Sequence, residues 1–176
     1  MVFISGCFPA VDGSVSFLSF GNNIFQYNIF METKTKTEII KQAREYLKTG
    51  WHCSEGILQA VGAHYLDEIS PSALRLSTVF ATGVGGTTEE LCGALSGGMM
   101  VISALYGRTD FQTKDDCCMA LASAYRTRFL ERFGNIRCAD LKKHWIGKKG
   151  QETCAELVAQ AAGLLVDVLE EVEKDC

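Results

Sequence analysis

The chain reads as an all-α protein, a bundle of about six helices, and three features predict it. From residue 35 onward, apolar residues recur at the three- and four-residue spacing of a helix face. Helix start and stop residues bracket those runs. No alternating apolar and polar run of useful length competes after residue 30. Amphipathic helices with no sheet to cover must bury their apolar stripes on one another, which gives a bundle.

The elements follow in order. Thr35 and Glu38 have capping-box spacing, Ile39, Ile40, Ala43, Tyr46 and Leu47 share one face, and Gly50 supplies the stop. A second helix is expected from about Cys53 to Leu66, with Ile57, Ala60, Val61 and His64 at helical intervals from Cys53. Ser70 followed by Pro71 is an N-cap with proline at the first helical position, opening a third helix to about Ala81. Gly83-Val84-Gly85-Gly86 ends it, and Thr87 with Glu90 reads as a capping box that starts the fourth helix, with Cys92 in its first or second turn. The fifth follows Thr113 and Asp116, carries Cys118, Leu121, Tyr125 and Phe129 on one stripe, and closes at Phe133-Gly134. The last runs from about Glu152 to Lys174, with Cys154 in its first turn and Leu157, Val158, Ala161, Leu164, Leu165, Val168 and Val172 on a broad apolar face.

At 176 residues the chain is long enough to bury roughly two-thirds of its unfolded surface, so it does not need disulfides to fold. Its net charge of −4 offers no basic footprint for nucleic acid. The one uncharged run, Leu91 to Gly107, is shorter than the roughly 20 apolar residues of a span and is diluted by Gly93, Ser96, Gly97, Gly98 and Ser103, so no membrane span is expected. Residues 1–30 contain no Lys or Arg and scatter six phenylalanines without a period. Ile4-Ser5-Gly6-Cys7 resembles a lipoprotein cleavage box, but no positive n-region or adequate apolar h-region accompanies it. These residues are therefore expected to be an extension, poorly ordered or upstream of a start at Met31, ahead of a four-cysteine domain over 31–176.

Eight cysteines are too many to pass over, and a cytoplasmic setting makes reduced thiols their default state. No C-x-x-C occurs, so the zinc-ribbon, thioredoxin and haem-attachment signatures are missing. Cys53, Cys92 and Cys154 fall at expected helix starts, where the dipole and unpaired N–H groups favour thiolate. Cys138 instead has Arg137, Lys142 and Lys143 nearby. Acting against ionisation are Glu89 and Glu90 beside Cys92, and Glu152 and Glu156 beside Cys154. Local spacing assigns no site, but a bundle can bring several helix starts to one end. Any one cysteine could simply be a small apolar core residue; the four together each have a special local context. Cys117 and Cys118 read as packing residues rather than a vicinal redox pair, and Cys7 and Cys176 as incidental.

Gly93 and Gly97, with Ala94 and Gly98 beside them, make a nearly side-chain-free strip where another backbone or a ligand can come close. His52 adjoins Cys53 and could tune it or ligate a metal, or simply sit exposed or hydrogen-bonded at a helix start. His64 reads as a satisfied core histidine, and His144 has no evident partner. The Gly83 to Gly86 loop lacks the strand, the third spaced glycine and the Gly-Lys-Ser/Thr of a phosphate cradle.

Taken together, His52-Cys53-Ser54-Glu55-Gly56, the hexamer Cys92-Gly93-Ala94-Leu95-Ser96-Gly97, the run Phe133-Gly134-Asn135-Ile136-Arg137-Cys138, and Cys154 resemble the C_GCAxxG_C_C family of redox-active proteins. Tyr106-Gly107-Arg108 is similar to the family's ending of the helix that holds the hexamer, and the resemblance covers about residues 37–172. It implies a redox role for those four cysteines and names no substrate.

The leading expectation is thus a cytoplasmic redox protein, an oxidoreductase or electron-transfer component with a redox partner protein. Cys53, Cys92, Cys138 and Cys154 would act as thiol/disulfide pairs or as ligands of an iron–sulfur cluster or zinc. Cys92 is the first choice as the key residue, with Gly93 and Gly97 leaving room for a cofactor or partner. The alternative is a non-enzymatic metal-binding or helical interaction module with structural cysteines.

Overall fold

The computed structural model describes residues 35–148, 150 and 153–172, of Val172 the backbone alone. The expected extension at 1–30, Met31, Cys7, Cys176, Glu152 and Lys174 lie outside those residues. The described residues form seven helices: α1 Lys36–Lys48, α2 Cys53–Tyr65, α3 Pro71–Thr78, α4 Gly93–Tyr106, α5 Asp116–Phe133, α6 Cys138–His144 and α7 Cys154–Val172. The architecture is all-α, and the helix beyond the expected six is the short α6. No helix among the described residues is long and apolar enough to cross a membrane.

Capping chemistry sets most boundaries where the sequence places them. The Thr35 backbone N–H donates to Glu38 Oε2 at 2.7 Å, closing the capping box of α1. Ser70 Oγ accepts from the Ala73 N–H at 3.1 Å ahead of Pro71, and Gly134 takes the left-handed conformation, φ 76°, that ends α5.

α2 is the central element, packed against α1, α3, α4 and α7. It is apolar nearly all round, as a helix enclosed on every side must be: Ile57, Leu58, Ala60 and Val61 are buried. α7 covers α1, α2, α4 and α5. Its seam with α1 is closed by a two-pronged ion pair from Arg44 to Glu156, at 2.7 and 2.9 Å, and by Lys36 with Asp167. Tyr125 of α5 is wholly buried, its hydroxyl 3.2 Å from the Ala94 carbonyl of α4 and 3.3 Å from the Ala161 carbonyl of α7.

α4 lies close on α2. A Cβ added at Gly97 would stand 2.6 Å from the Ser54 carbonyl oxygen and 2.9 Å from its Cα, and one at Gly98 would meet the Tyr125 ring at 2.3 Å. The glycine strip therefore receives a backbone, that of Ser54. Ser54 itself is buried and donates to the Ser77 carbonyl at 2.8 Å, while Ser96 donates to the Phe80 carbonyl at 3.2 Å.

α4 starts later than the Thr87 and Glu90 pattern predicts. Thr87 Oγ1 donates to the Gly83 carbonyl at 2.6 Å instead of capping a helix, and Cys92 is the N-cap. The cause is long-range: residues 88–92 are already engaged by residues 136–139. The Cys92 N–H donates to Ile136 O at 2.8 Å, the Cys138 N–H to Glu90 O at 2.9 Å and the Ala139 N–H to Thr88 O at 2.8 Å. Leu91 and Arg137 form an antiparallel bridge, and Arg137 Nε donates to Glu89 O at 2.8 Å. Upstream, Thr82, Gly83, Val84, Gly85 and Gly86 all have positive φ. For β-branched Thr82 and Val84 that conformation costs on the order of 1–2 kcal/mol each, offset by the contacts the loop makes.

Replacing Gly97 by alanine should cost about 1–3 kcal/mol, because the obstructing atoms are backbone and cannot rotate away. Met119→Ala, at a position 61% exposed, should stay within about 0.5 kcal/mol. Urea unfolding followed by circular dichroism measures both.

Candidate functional site

All four singled-out cysteines line one cavity of about 410 Å3. Each stands at a helix start. Cys53 is the first residue of α2, Cys92 the N-cap of α4, Cys138 the first residue of α6 and Cys154 the first of α7. Cys138 thus shares the context that the sequence assigns to the other three. Its helix was the missed element, and seven residues are too few to display a period.

The four differ in depth. Cys92 and Cys138 are each 7% exposed, Cys53 is half-buried and Cys154 is exposed at the cavity edge. The α2 and α4 starts are in direct contact, since a Cβ on Gly93 would lie 2.2 Å from Cys53 Sγ. Gly93 must stay bare for the Cys53 sulfur to occupy its place. A Cβ at Gly83 would lie 3.0 Å from Cys138 Cβ and 2.5 Å from Thr88 Cα, so the glycine loop presses on the Cys138 side of the cavity. Gly97 lies one turn further along α4 against Ser54 and is not part of the lining.

Helix starts favour thiolates, but here burial acts against them more strongly. Burial pushes the Cys92 thiol well above its ordinary value, its electrostatic interaction with the neighbouring Cys53 adds to that, and the N–H groups of Ala94 and Leu95 only partly offset it. Cys138 is raised by burial, opposed by Lys142 and then reinforced by Cys53 and Cys154. Cys154 is exposed as a residue while its thiol faces the cavity; burial raises it, Cys53 adds to the rise and Lys142 opposes it. Cys53 therefore acts electrostatically on all three of the others.

The remaining wall includes Leu47, Trp51, Leu141, Ile146, Leu157 and Val158, with Lys48, His52, Thr82, Lys142 and Thr153 as polar members. His52 precedes α2 and its N–H donates to Glu55 Oε2 at 2.9 Å, while Glu55 Oε1 accepts from Thr78 Oγ1 at 2.7 Å. This buried carboxylate fixes the α2 start against α3. His64 is half-buried, edge-on to Tyr65 at 4.7 Å, and His144 is exposed. Cys118 is a free thiol, 7% exposed in the core, as its packing role predicts, whereas Cys117 packs partly buried against the core and is disulfide-bonded, which the sequence did not indicate. Four thiols are a soft donor set suited to zinc or an iron–sulfur cluster. As arranged, however, no three His, Cys, Asp or Glu side chains among the described residues stand as a group that could hold a metal ion.

The model of a family described as "Putative redox-active protein (C_GCAxxG_C_C)" matches residues 51–168, a stretch that contains all four of these cysteines. No curated protein and no solved structure matches the chain.

The raised thiols carry a pH signature. In the folded protein Cys92, Cys138 and Cys154 hold protons that an unfolded chain releases near the ordinary thiol value of about 8.5. Their contribution to stability is therefore full below that value and falls as the pH rises through it. Alkylation of Cys154 by iodoacetamide, followed by peptide mass, should climb about tenfold per pH unit from 7 to 9 without levelling. A plateau below pH 8 would contradict the burial account.

Proposed function

The chain belongs to the C_GCAxxG_C_C family, and from that premise we propose that its cysteines carry out reversible two-electron thiol/disulfide exchange inside the cavity they share. The observation that carries this reading is the convergence of four thiols, from four different helix starts, on one cavity with a graded depth.

Cys154 is the entry thiol, because its residue stands exposed at the cavity edge and Lys142 opposes part of the burial that raises its thiol. Its thiolate attacks one sulfur of a partner disulfide, the partner's S–S bond breaks, and the released thiolate takes up a proton. Cys53 resolves the mixed disulfide by attacking the Cys154 sulfur, which releases the second partner thiol and leaves a Cys53–Cys154 disulfide. In a second exchange the Cys92 sulfur attacks the Cys53 sulfur, the Cys53–Cys154 bond breaks, the Cys92 proton ends on the departing Cys154 sulfur, and the new Cys53–Cys92 disulfide is shielded from solvent by burial. Cys138 stands beside the path as a further acceptor. Gly93 belongs to this machinery through the space it leaves for the Cys53 sulfur; Gly97 belongs to it by letting α4 sit low enough on Ser54 to bring Cys92 and Cys53 together.

The metal reading remains chemically distinct. The same four thiolates, Cys53, Cys92, Cys138 and Cys154, are the residues that would hold zinc or an iron–sulfur cluster, and the cluster would supply one-electron transfer. The arrangement described above does not fit an ion without rearrangement, so no step is routed through one.

Anaerobic purification, metal analysis and a thiol count before and after mild oxidation test the proposal. Loss of two thiols per chain without stoichiometric metal is the expected result, and Cys53→Ser should slow that loss at least tenfold while Cys118→Ala leaves it unchanged. Brown protein with stoichiometric iron would decide for a cluster instead. Four thiols that resist oxidation would sink the redox role.

A further inference from the structure

Among the described residues that line the cavity, the charged side chains are Lys48 from α1 and Lys142 from α6, with His52 ahead of α2 as a polar neighbour and no carboxylate in that lining. Lys142 is exposed, forms none of the ion pairs among the described residues, and its charge acts on both Cys138 and Cys154. Lys48 has a carboxylate neighbour in Glu45 at 3.0 Å, but both side chains are about half exposed, 54% and 50%, so that pair is screened by solvent and weak. This local excess stands on a chain whose formal net charge is −4. The volume of about 410 Å3 lies in the range of small-molecule sites rather than of extended protein interfaces, and Leu47, Trp51 and Leu157 give it an apolar wall.

We propose that the electron acceptor of this site is a small organic disulfide bearing anionic groups, carboxylate or phosphate. Its aliphatic body lies against Trp51 and Leu47, its anionic ends face Lys48 and Lys142, and one of its sulfurs meets Cys154. The inference rests on the thiol/disulfide reading above. Per turnover one R–S–S–R and two protein thiols give two R–SH and one protein disulfide. The two electrons leave the protein sulfurs, and the two protein thiol protons end on the products. An external dithiol reductant returns the protein to its reduced form.

Charge selection separates this substrate class from others. Reduced full-length protein is mixed anaerobically with three disulfides of similar size: dithiodiglycolate, a dianion; bis(2-hydroxyethyl) disulfide, neutral; and cystamine, a dication. Each rate is divided by the rate of the same disulfide with free 2-mercaptoethanol, which removes intrinsic reactivity. The expected order is dianion, neutral, dication, with about tenfold or more between the extremes at low salt and a much smaller gap at about 0.5 M salt. Lys142→Glu should collapse that order, and Lys142→Arg should keep it. Because Lys142 is exposed, neither change threatens the fold. Equal normalised rates, or cystamine in front, would overturn the substrate class while leaving thiol exchange intact. Failure of all three disulfides to oxidise the protein would overturn the thiol/disulfide reading itself, and the proposal with it.

Discussion

The contact on which the rest depends is the bare edge of α4 against the start of α2. Gly93 and Gly97 have no side chain, so Cys53 and Ser54 can lie where side-chain atoms would otherwise stand. That approach does two things together. It seals the central helix into the core beside Tyr125, whose ring in turn occupies the space left by Gly98, and it sets the first turns of α2 and α4 side by side so that Cys53 and Cys92 border one cavity. Packing and site are the same contact, and a change to one is a change to the other.

The electrostatic character of the site follows from a competition that burial wins. A helix start contributes a fraction of a unit charge, enough to favour a thiolate in water. At Cys92 two backbone N–H groups act in that direction, yet removal from solvent outweighs them and keeps the sulfur protonated. Neighbouring sulfurs add to the effect, because each thiolate makes the next one harder to form. A cluster of this kind holds protons until something compensates the charge, and among the described residues Lys142 acts in that sense on two of the sulfurs.

Much of this was legible in the sequence wherever the determining interactions are local. Thr35 with Glu38, Ser70 with Pro71, and Gly134 each act within one turn of their own position, and α1, α3 and α5 begin or end where those residues say. The helix-start context of Cys53, Cys92 and Cys154 was legible for the same reason. What could not be read was set by partners far along the chain. Thr87 and Glu90 match a capping box, but residues 136–139 take up the backbone just downstream, and α4 waits until Gly93. α6 is too short to announce itself by period, and so the helix start at Cys138 was hidden. The glycine strip was visible; that Ser54 fills it was not. Convergence of the four sulfurs depends on the sum of these distant contacts and on no spacing within the sequence.

The short pairing of residues 88–92 with 136–139 has one further consequence. Its hydrogen bonds are donated by the amides of Cys92, Cys138 and Ala139, two of them belonging to site residues. It is an isolated bridge outside any named strand, so its opening is a local event with its own free energy, smaller than that of global unfolding. Cys92 and Cys138 keep their common cavity only while it is closed. The isotope exchange of those three amide protons is therefore an internal gauge of site assembly, readable without substrate, label or substitution.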